Sequence, residues 1–307
     1  MTEIISDTVR EAGGYRQRRV NWQGQISAYI FLLPALVLFT LFAWFPILRS
    51  ILLSFQDIQL GGESTWVGLR NYRNMLLDPA FEAAWRNSFE FAALSVVMGF
   101  FVPVLVAILV NEMRIARGFF RLVYFLPTVI PAVIALLVWR ELYKIEGGYL
   151  NTLMVQLGFA RQTWLQDPEI VKPAILVIMT WGGFGATMLL YLAALQDLPV
   201  ELYEAAEIDG ASISGRIRHI TLPHLRPTML VLLILQVIGV VQIFIEPFVL
   251  TQGGPGQVTT TPVLKIYEKA FTNFNFGLAS AWSVLLIVLL AIFSLIYLRV
   301  SKLMSED

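Results

Sequence analysis

His219 and His224 are the only histidines in the 307-residue chain, which has no cysteine. Five residues apart, they do not form the His-x-x-x-His pair through which one helix face holds zinc. Without cysteine there is no thiolate metal site, no disulfide and no sulfur nucleophile. No Gly-x-x-x-x-Gly-Lys phosphate cradle occurs either. This inventory predicts a chain that is not an enzyme, holds no metal and binds no cofactor of its own.

The two histidines share a charged setting. Eight of the 44 charged residues fall between Asp197 and Arg226, around "EAAEIDGASISGRIRHITLP" from Glu204 to Pro223. This stretch reads as two short helices. Asp197 is placed to cap the first, Pro199 to sit in its first turn, Glu201 and Glu204 to favour its positive end, and Gly210 to close it. The second starts at Ser212 or Ser214 and stops before Pro223, with Arg216 and Arg218 toward its C-terminal end. Ala205 and Ala206 leave the backbone open to close approach by another protein, with Tyr203 and Ile208 to fill a pocket and Glu204 as a rim charge. An amphipathic loop lying on lipid headgroups is the alternative reading of the same residues.

The elements that must hold this segment are apolar. Hydrophobic residues make up 57% of the chain and charged ones 14%, against about 25% charged in soluble domains, and mean hydropathy is +0.69. Net charge is zero and no basic stripe exists to track phosphates, so nucleic acid is not an expected partner. A bilayer-crossing helix needs about 20 mostly apolar residues. Six windows meet or approach that length: 26–48, 89–110, 122–139, 173–195, 227–250 and 278–298, with Glu90 and Glu246 the only charges inside them. Arg121 and Arg140 extend the short third window by snorkelling. Pro34, Pro103, Pro127 and Pro131 predict kinked spans around a cavity.

The fold class is therefore an all-α integral membrane protein of six transmembrane helices, with both termini on one side. If the N terminus is inside, the inner segments hold 12 Lys and Arg in 76 residues and the outer ones 10 in 100. The hinge 111–121 alone holds Arg114, Arg117 and Arg121. The positive-inside rule then puts both termini and the 197–226 loop in the cytoplasm. Residues 1–25, with Arg10, Arg16, Arg18 and Arg19, are too polar for a cleaved signal peptide and form a cytoplasmic segment. Residues 26–300 form the transmembrane domain and 301–307 a cytoplasmic tail.

Glu204, Ala205 and Ala206, then three residues, Gly210, nine residues, and Ile220, Leu222 and Pro223 make a spaced signature. It resembles the EAA motif of permease subunits of binding-protein-dependent ABC importers. "FLLPALVLF" at Phe31, "VGLRNY" at Val67, "RLVYFLPTVIPAV" at Arg121, "LPVELYEAAEIDGA" at Leu198 and "LTQGGPG" at Leu250 resemble the maltose and glycerol-3-phosphate branch of that family. The likeness runs from Tyr29 to the C terminus. Ile217 departs from it, standing where that branch often has an aromatic residue, which bears on loop packing.

The resemblance implies a type I importer permease in a bacterial or archaeal cell membrane. It implies passage of a carbohydrate by alternating access, with ATP and Mg on two cytoplasmic ATPase subunits. A second homologous permease and an extracytoplasmic solute-binding protein complete the expected assembly. The seven signature residues would then be the ATPase-coupling residues. An ion- or proton-coupled secondary transporter is the alternative, although no internal repeat of the kind such carriers show is visible.

Candidate path residues come from polarity and from the resemblance. Gln242 and Glu246, four apart, would share one helix face near the outer mouth. Gly182, Gly183 and Gly185 either open space or let helices pack, packing being the commoner role. By spacing from the signature, the resemblance adds Gly183, Ala186, Gln236, Val240 and Ile243. Only Gln236 among these five is polar, so either a partner permease supplies most contacts or the solute binds differently. "TQGGPGQVTTTP" from Thr251 reads as an exposed, turn-rich loop, and the resemblance makes it a contact for the binding protein.

Overall fold

A computed structural model describes residues 22–58, 64–113 and 115–305. The N-terminal arginines and Arg114 lie outside these residues. The chain divides into two units after Ser50. In the first, helix α1 (Trp22–Phe39) passes through a wide π turn, Thr40–Trp44, into helix α2 (Phe45–Leu53), whose end belongs to the second unit. The wide turn stops just before Pro46, whose ring would crowd the carbonyl four residues back in tight α winding.

The second unit adds a small hairpin, β1 (Gln56–Asp57) antiparallel to β2 (Thr65–Trp66), and helix α3 (Arg70–Leu76). Helices α4 (Phe81–Met98) and α5 (Phe101–Glu112) form one apolar run interrupted at Gly99 and Phe100. Helices α6 (Arg117–Val129) and α7 (Ala132–Leu142) follow, then α8 (Tyr149–Gln156) and α9 (Val171–Gln196). Helices α10 (Val200–Ile208) and α11 (Ile213–Arg216) carry the charged segment, and a second π turn, Ile217–Thr221, leads into α12 (Leu222–Val241). Helices α13 (Ile245–Leu250), α14 (Pro262–Tyr267) and α15 (Phe276–Ser305) complete the fold.

Among the described residues, five helical runs are long and apolar enough to cross a membrane: Tyr29–Leu53, Phe81–Glu112, Val171–Gln196, Ile213–Leu250 and Phe276–Arg299. The third window, 122–139, is not one straight span, because α6 and α7 bend by 93° against each other. Proline explains the break. Pro131 donates no backbone hydrogen bond, and Ile130 before it is pushed into extended backbone at φ −72°, ψ 128°.

The second unit is packed as two apolar cores. One gathers Phe91, Ile175, Leu176, Val241 and Trp282; the other gathers Val104, Ile108, Met188, Tyr191, Leu192 and Leu225. Each of three runs contributes to both. Along α4 and α5 the first core ends at Ala92 and the second begins at Val104; along α9 the change falls between Ile178 and Met188; along α12 it falls between Leu225 and Val240. Between the cores the same helices carry Ser95, Gly99, Thr180, Gly183, Thr187 and Gln236. Burying large apolar side chains stabilises by roughly 1.5–3 kcal/mol each, so the two ends are firm; the waist between them, where these small and polar residues stand among Met179, Phe184, Leu232 and Leu235 around a cavity, is the less tightly packed level.

Candidate functional site

The charged segment folds at the end of the second unit that holds the Val104–Leu225 core. Pro199, in extended backbone, is the N-cap of α10, whereas Asp197 ends α9 instead of capping α10. Proline's fixed φ and lack of an N–H make it the natural first residue outside a helix, which displaces Asp197 from the cap. The C-terminus of α10 closes as expected: Gly210 takes φ +74°, its N–H donates to Glu207 O at 3.1 Å, and Ala211 N–H donates to Ala206 O at 2.8 Å. Ser212 caps α11 by accepting from Gly215 N–H.

The second short helix does not stop before Pro223. It continues through the π turn Ile217–Thr221 into α12, with Leu222 N–H donating to Ile217 O. The wider winding just upstream and the position of Pro223 in the first turn of α12 let the chain pass the proline unbroken. Tyr203 is also placed differently from the sequence reading. Its hydroxyl turns inward to Thr221 Oγ1 at 2.9 Å, while Ile208 is 86% exposed.

The seven signature residues separate by role. Glu204, Ala205 and Gly210 are exposed and Ala206 half-buried, giving an open helix edge. Ile220, Leu222 and Pro223 are half-buried, and Leu222 packs against the nearby core, as does Ile217. The first group can meet another protein, and the second anchors the segment to its span.

At the waist lies a cavity of about 320 Å³ between α4, α5, α9 and α12. Gln236 donates its amide to Ser95 O at 2.8 Å across this space. A methyl on Gly99 would fall 2.9 Å from Thr180 Oγ1, so only glycine lets α4 turn this close to α9. A second cavity, about 280 Å³, is lined by Thr128, Ile130, Gly182, Gly183 and Glu246 beside the α6–α7 break. Thr128 Oγ1 donates to Gly182 O at 3.1 Å.

Of the expected path residues, Gly183, Gln236 and Val240 line the first cavity, and Gly183 and Glu246 the second. Gly183 borders both. Ala186, Gln242 and Ile243 border neither; Ile243 is buried in the core. Gln242 and Glu246 do not share a helix face, because the span breaks at 242–244. The carbonyls freed there are satisfied sideways, Val241 O by Ser88 Oγ at 3.3 Å and Ile243 O by Thr261 Oγ1 at 2.8 Å. Gln242 instead turns back to Ile238 O at 3.0 Å. The three glycines divide: a methyl on Gly185 would strike the backbone of Tyr124 and Phe125, whereas Gly182 and Gly183 face open space.

Ser95, Thr180 and Thr187 line the first cavity and were missed in the sequence. Their signal was spacing: Thr180, Gly183, Phe184 and Thr187 recur at three, four and seven residues, one face of α9.

At the opposite end, the loop after Leu250 is turn-rich but largely packed inward. Thr259 and Thr261 are fully buried, and only Gln252, Gly256 and Gln257 are exposed. Thr251 Oγ1 and Thr259 Oγ1 pair at 2.7 Å, and Thr260 Oγ1 donates to Gly253 O at 3.2 Å. Threonines thus supply internally the partners that an exposed loop would take from water. Asn87 on α4 holds the loop, donating to Gln257 O at 2.7 Å and Thr260 O at 2.9 Å.

Comparison with known proteins agrees with this architecture. The family model "binding-protein-dependent transport system inner membrane component" matches residues 99–306. The chain is 33% identical over 290 residues to the probable ABC transporter permease protein YurN of Bacillus subtilis (strain 168), covering 93% of this chain and 99% of that one. It is 34% identical over 281 residues to the trehalose/maltose transport system permease protein MalF of Thermococcus litoralis, covering 89% and 93%. A chain in the crystal structure of a bacterial ABC transporter involved in importing the acidic polysaccharide alginate superposes with TM-score 0.80 at 25% identity, covering 91% and 96%. With an apolar multi-span bundle, a waist cavity between two cores and the complete spaced signature, the chain belongs to the family of inner membrane components of binding-protein-dependent transport systems.

Proposed function

We propose that the chain is one of two homologous, non-identical permeases in an importer that passes carbohydrate inward across a prokaryotic cell membrane by alternating access. The 197–226 loop faces the cytoplasm, where Glu204, Ala205, Ala206 and Gly210 meet an ATPase subunit. ATP and Mg reside on two such subunits, which do the hydrolysis. The solute-binding protein meets the opposite end, at the exposed tip formed by Gln252, Gly256 and Gln257.

The observation that carries this reading is the less tightly packed waist between two firm cores, with an open helix edge at one end. Such a body can tilt its ends against each other at the waist. The carbohydrate assignment draws on the named relatives and on the lining. Thr180, Thr187 and Gln236 offer uncharged hydrogen-bonding groups, and Phe184 offers an aromatic wall for the apolar face of a sugar ring.

The test is reconstitution of the purified assembly in proteoliposomes. The tagged chain should bring down an ATPase and a second permease. Gly210→Pro and Glu204→Lys should abolish uptake and solute-stimulated ATPase activity while membrane insertion is unchanged; normal uptake by both would overturn the coupling assignment. A thermal-shift screen of the cognate binding protein against sugars identifies the solute.

A further inference from the structure

The C-terminal ends of α5 and α10 meet at Arg216, which lies near the start of the helical run that continues into α12. Its side chain is 14% exposed; Nη2 lies 3.4 Å from Glu112 Oε2 and Nη1 lies 3.5 Å from Glu207 Oε2. Glu112 is the last residue of α5, Glu207 lies in the last turn of α10, and Arg216 ends α11. Both carboxylates stand where the helix dipole disfavours negative charge. Helix propensity does not explain them there, but a shared cation does. A planar guanidinium with separate N–H groups can serve two carboxylates at once, which a lysine ammonium does less well.

We infer that Arg216 is a positioning residue that yokes the docking helix α10 to α5. This rests on the proposed coupling role of α10. A push on the exposed edge at Glu204 and Ala205 reaches Glu207 within the same short helix, crosses Arg216 to Glu112, and enters the rigid end of α5. Pro103, at the waist cavity, is nine residues up that helix, about 13 Å along its axis. The Tyr203–Thr221 hydroxyl contact ties α10 separately to α12. The docking helix therefore holds two walls of the cavity by two different bonds, and Arg216 supplies the one to α5.

The test uses the whole reconstituted assembly, with its ATPase, partner permease and solute-loaded binding protein. Basal and stimulated ATPase rates are measured for wild type, Arg216→Ala, Arg216→Lys, Glu112→Gln and Arg216→Ala with Glu112→Gln. Basal rates should stay within about twofold of wild type, since α10 still docks. Stimulation should fall at least fivefold in Arg216→Ala and in Glu112→Gln, partly in Arg216→Lys, and no further in the double variant. Normal stimulation in Glu112→Gln, or additive losses in the double variant, would overturn the yoke. Where Arg216→Ala fails to assemble, Glu112→Gln alone decides, because Arg216 keeps Glu207. A wild-type assembly without stimulation overturns the coupling role itself, whereas normal variants beside a stimulated wild type overturn the yoke alone.

Discussion

Lys172 donates to Asn87 Oδ1 at 2.9 Å, joining the start of α9 to α4, and the amide of the same Asn87 holds the loop after Leu250. Lys172 also pairs with Glu90 and lies 5.9 Å from the centre of the Phe91 ring. The side chain of Lys172 is 9% exposed and that of Glu90 46%. This asymmetry gives a prediction. Glu90→Ala leaves a buried ammonium without its counter-ion and should lower stability by about 2–3 kcal/mol, whereas Lys172→Met leaves a carboxylate that water can reach but strands the buried Asn87 Oδ1 and should cost about 1–2 kcal/mol. Thermal unfolding of the two variants in detergent checks the order.

Asp78 gives a pH dependence. Its Oδ2 lies 2.9 Å from Lys269 Nζ and 3.9 Å from Lys265 Nζ, and its Oδ1 accepts from Ala80 N–H at 2.9 Å. Burial works to raise this carboxyl, but the Lys269 bond, the Ala80 N–H and the two ammonium charges outweigh it and hold it below the ordinary 3.8. A depressed folded value means stability that is present above the unfolded value and lost as pH falls through the folded one. Asp78→Asn should therefore lower Tm at pH 7, and the gap to wild type should close below about pH 4.

Gly185 and Gly183 are two residues apart and should respond oppositely to one methyl group. Gly185→Ala sets a side chain against the Tyr124 carbonyl, which is backbone and cannot swing away, so α6 and α9 must separate at about 1–3 kcal/mol. Gly183→Ala meets nothing within 4 Å and replaces a mid-helix glycine, so it should raise stability, read as Tm, by up to about 1 kcal/mol. Because Gly183 borders both cavities, its variant should also show up in uptake rates.

Gln236→Leu removes the amide that spans the first cavity to Ser95 O. Where a solute hydroxyl bonds this same side chain, losing that bond to solute, about 1.4 kcal/mol, raises the half-saturating solute concentration roughly tenfold. Uptake measured against external solute at saturating binding protein reads this directly.

Much of the fold was legible because membrane helices announce themselves by length and composition. Five windows fell on single helical runs, and the spaced signature fell on α10 and the segment after it. The 93° break was not legible, since Pro127 and Pro131 signal a bend but not its size. Ser212 could be named as a cap because capping is local, and Asp197 was misplaced because Pro199 competed for the same position. The Lys172–Asn87–loop connection joins residues 85 and up to 173 positions apart, and no local pattern encodes such a pairing. The cavity threonines could have been found by helical spacing alone.

The π turn at Ile217–Thr221 has a consequence for how the signature is spaced. Ordinary α winding advances about 100° per residue. The direction in which α10 points around the axis of α12 is thus counted in residues, like teeth on a gear. Deleting one residue from the turn would rotate the open edge of α10 by about a quarter of a circle and carry Ala205 round with it. The nine positions between Gly210 and Ile220 thus act as an angular index, their number setting the direction in which the open edge of α10 faces.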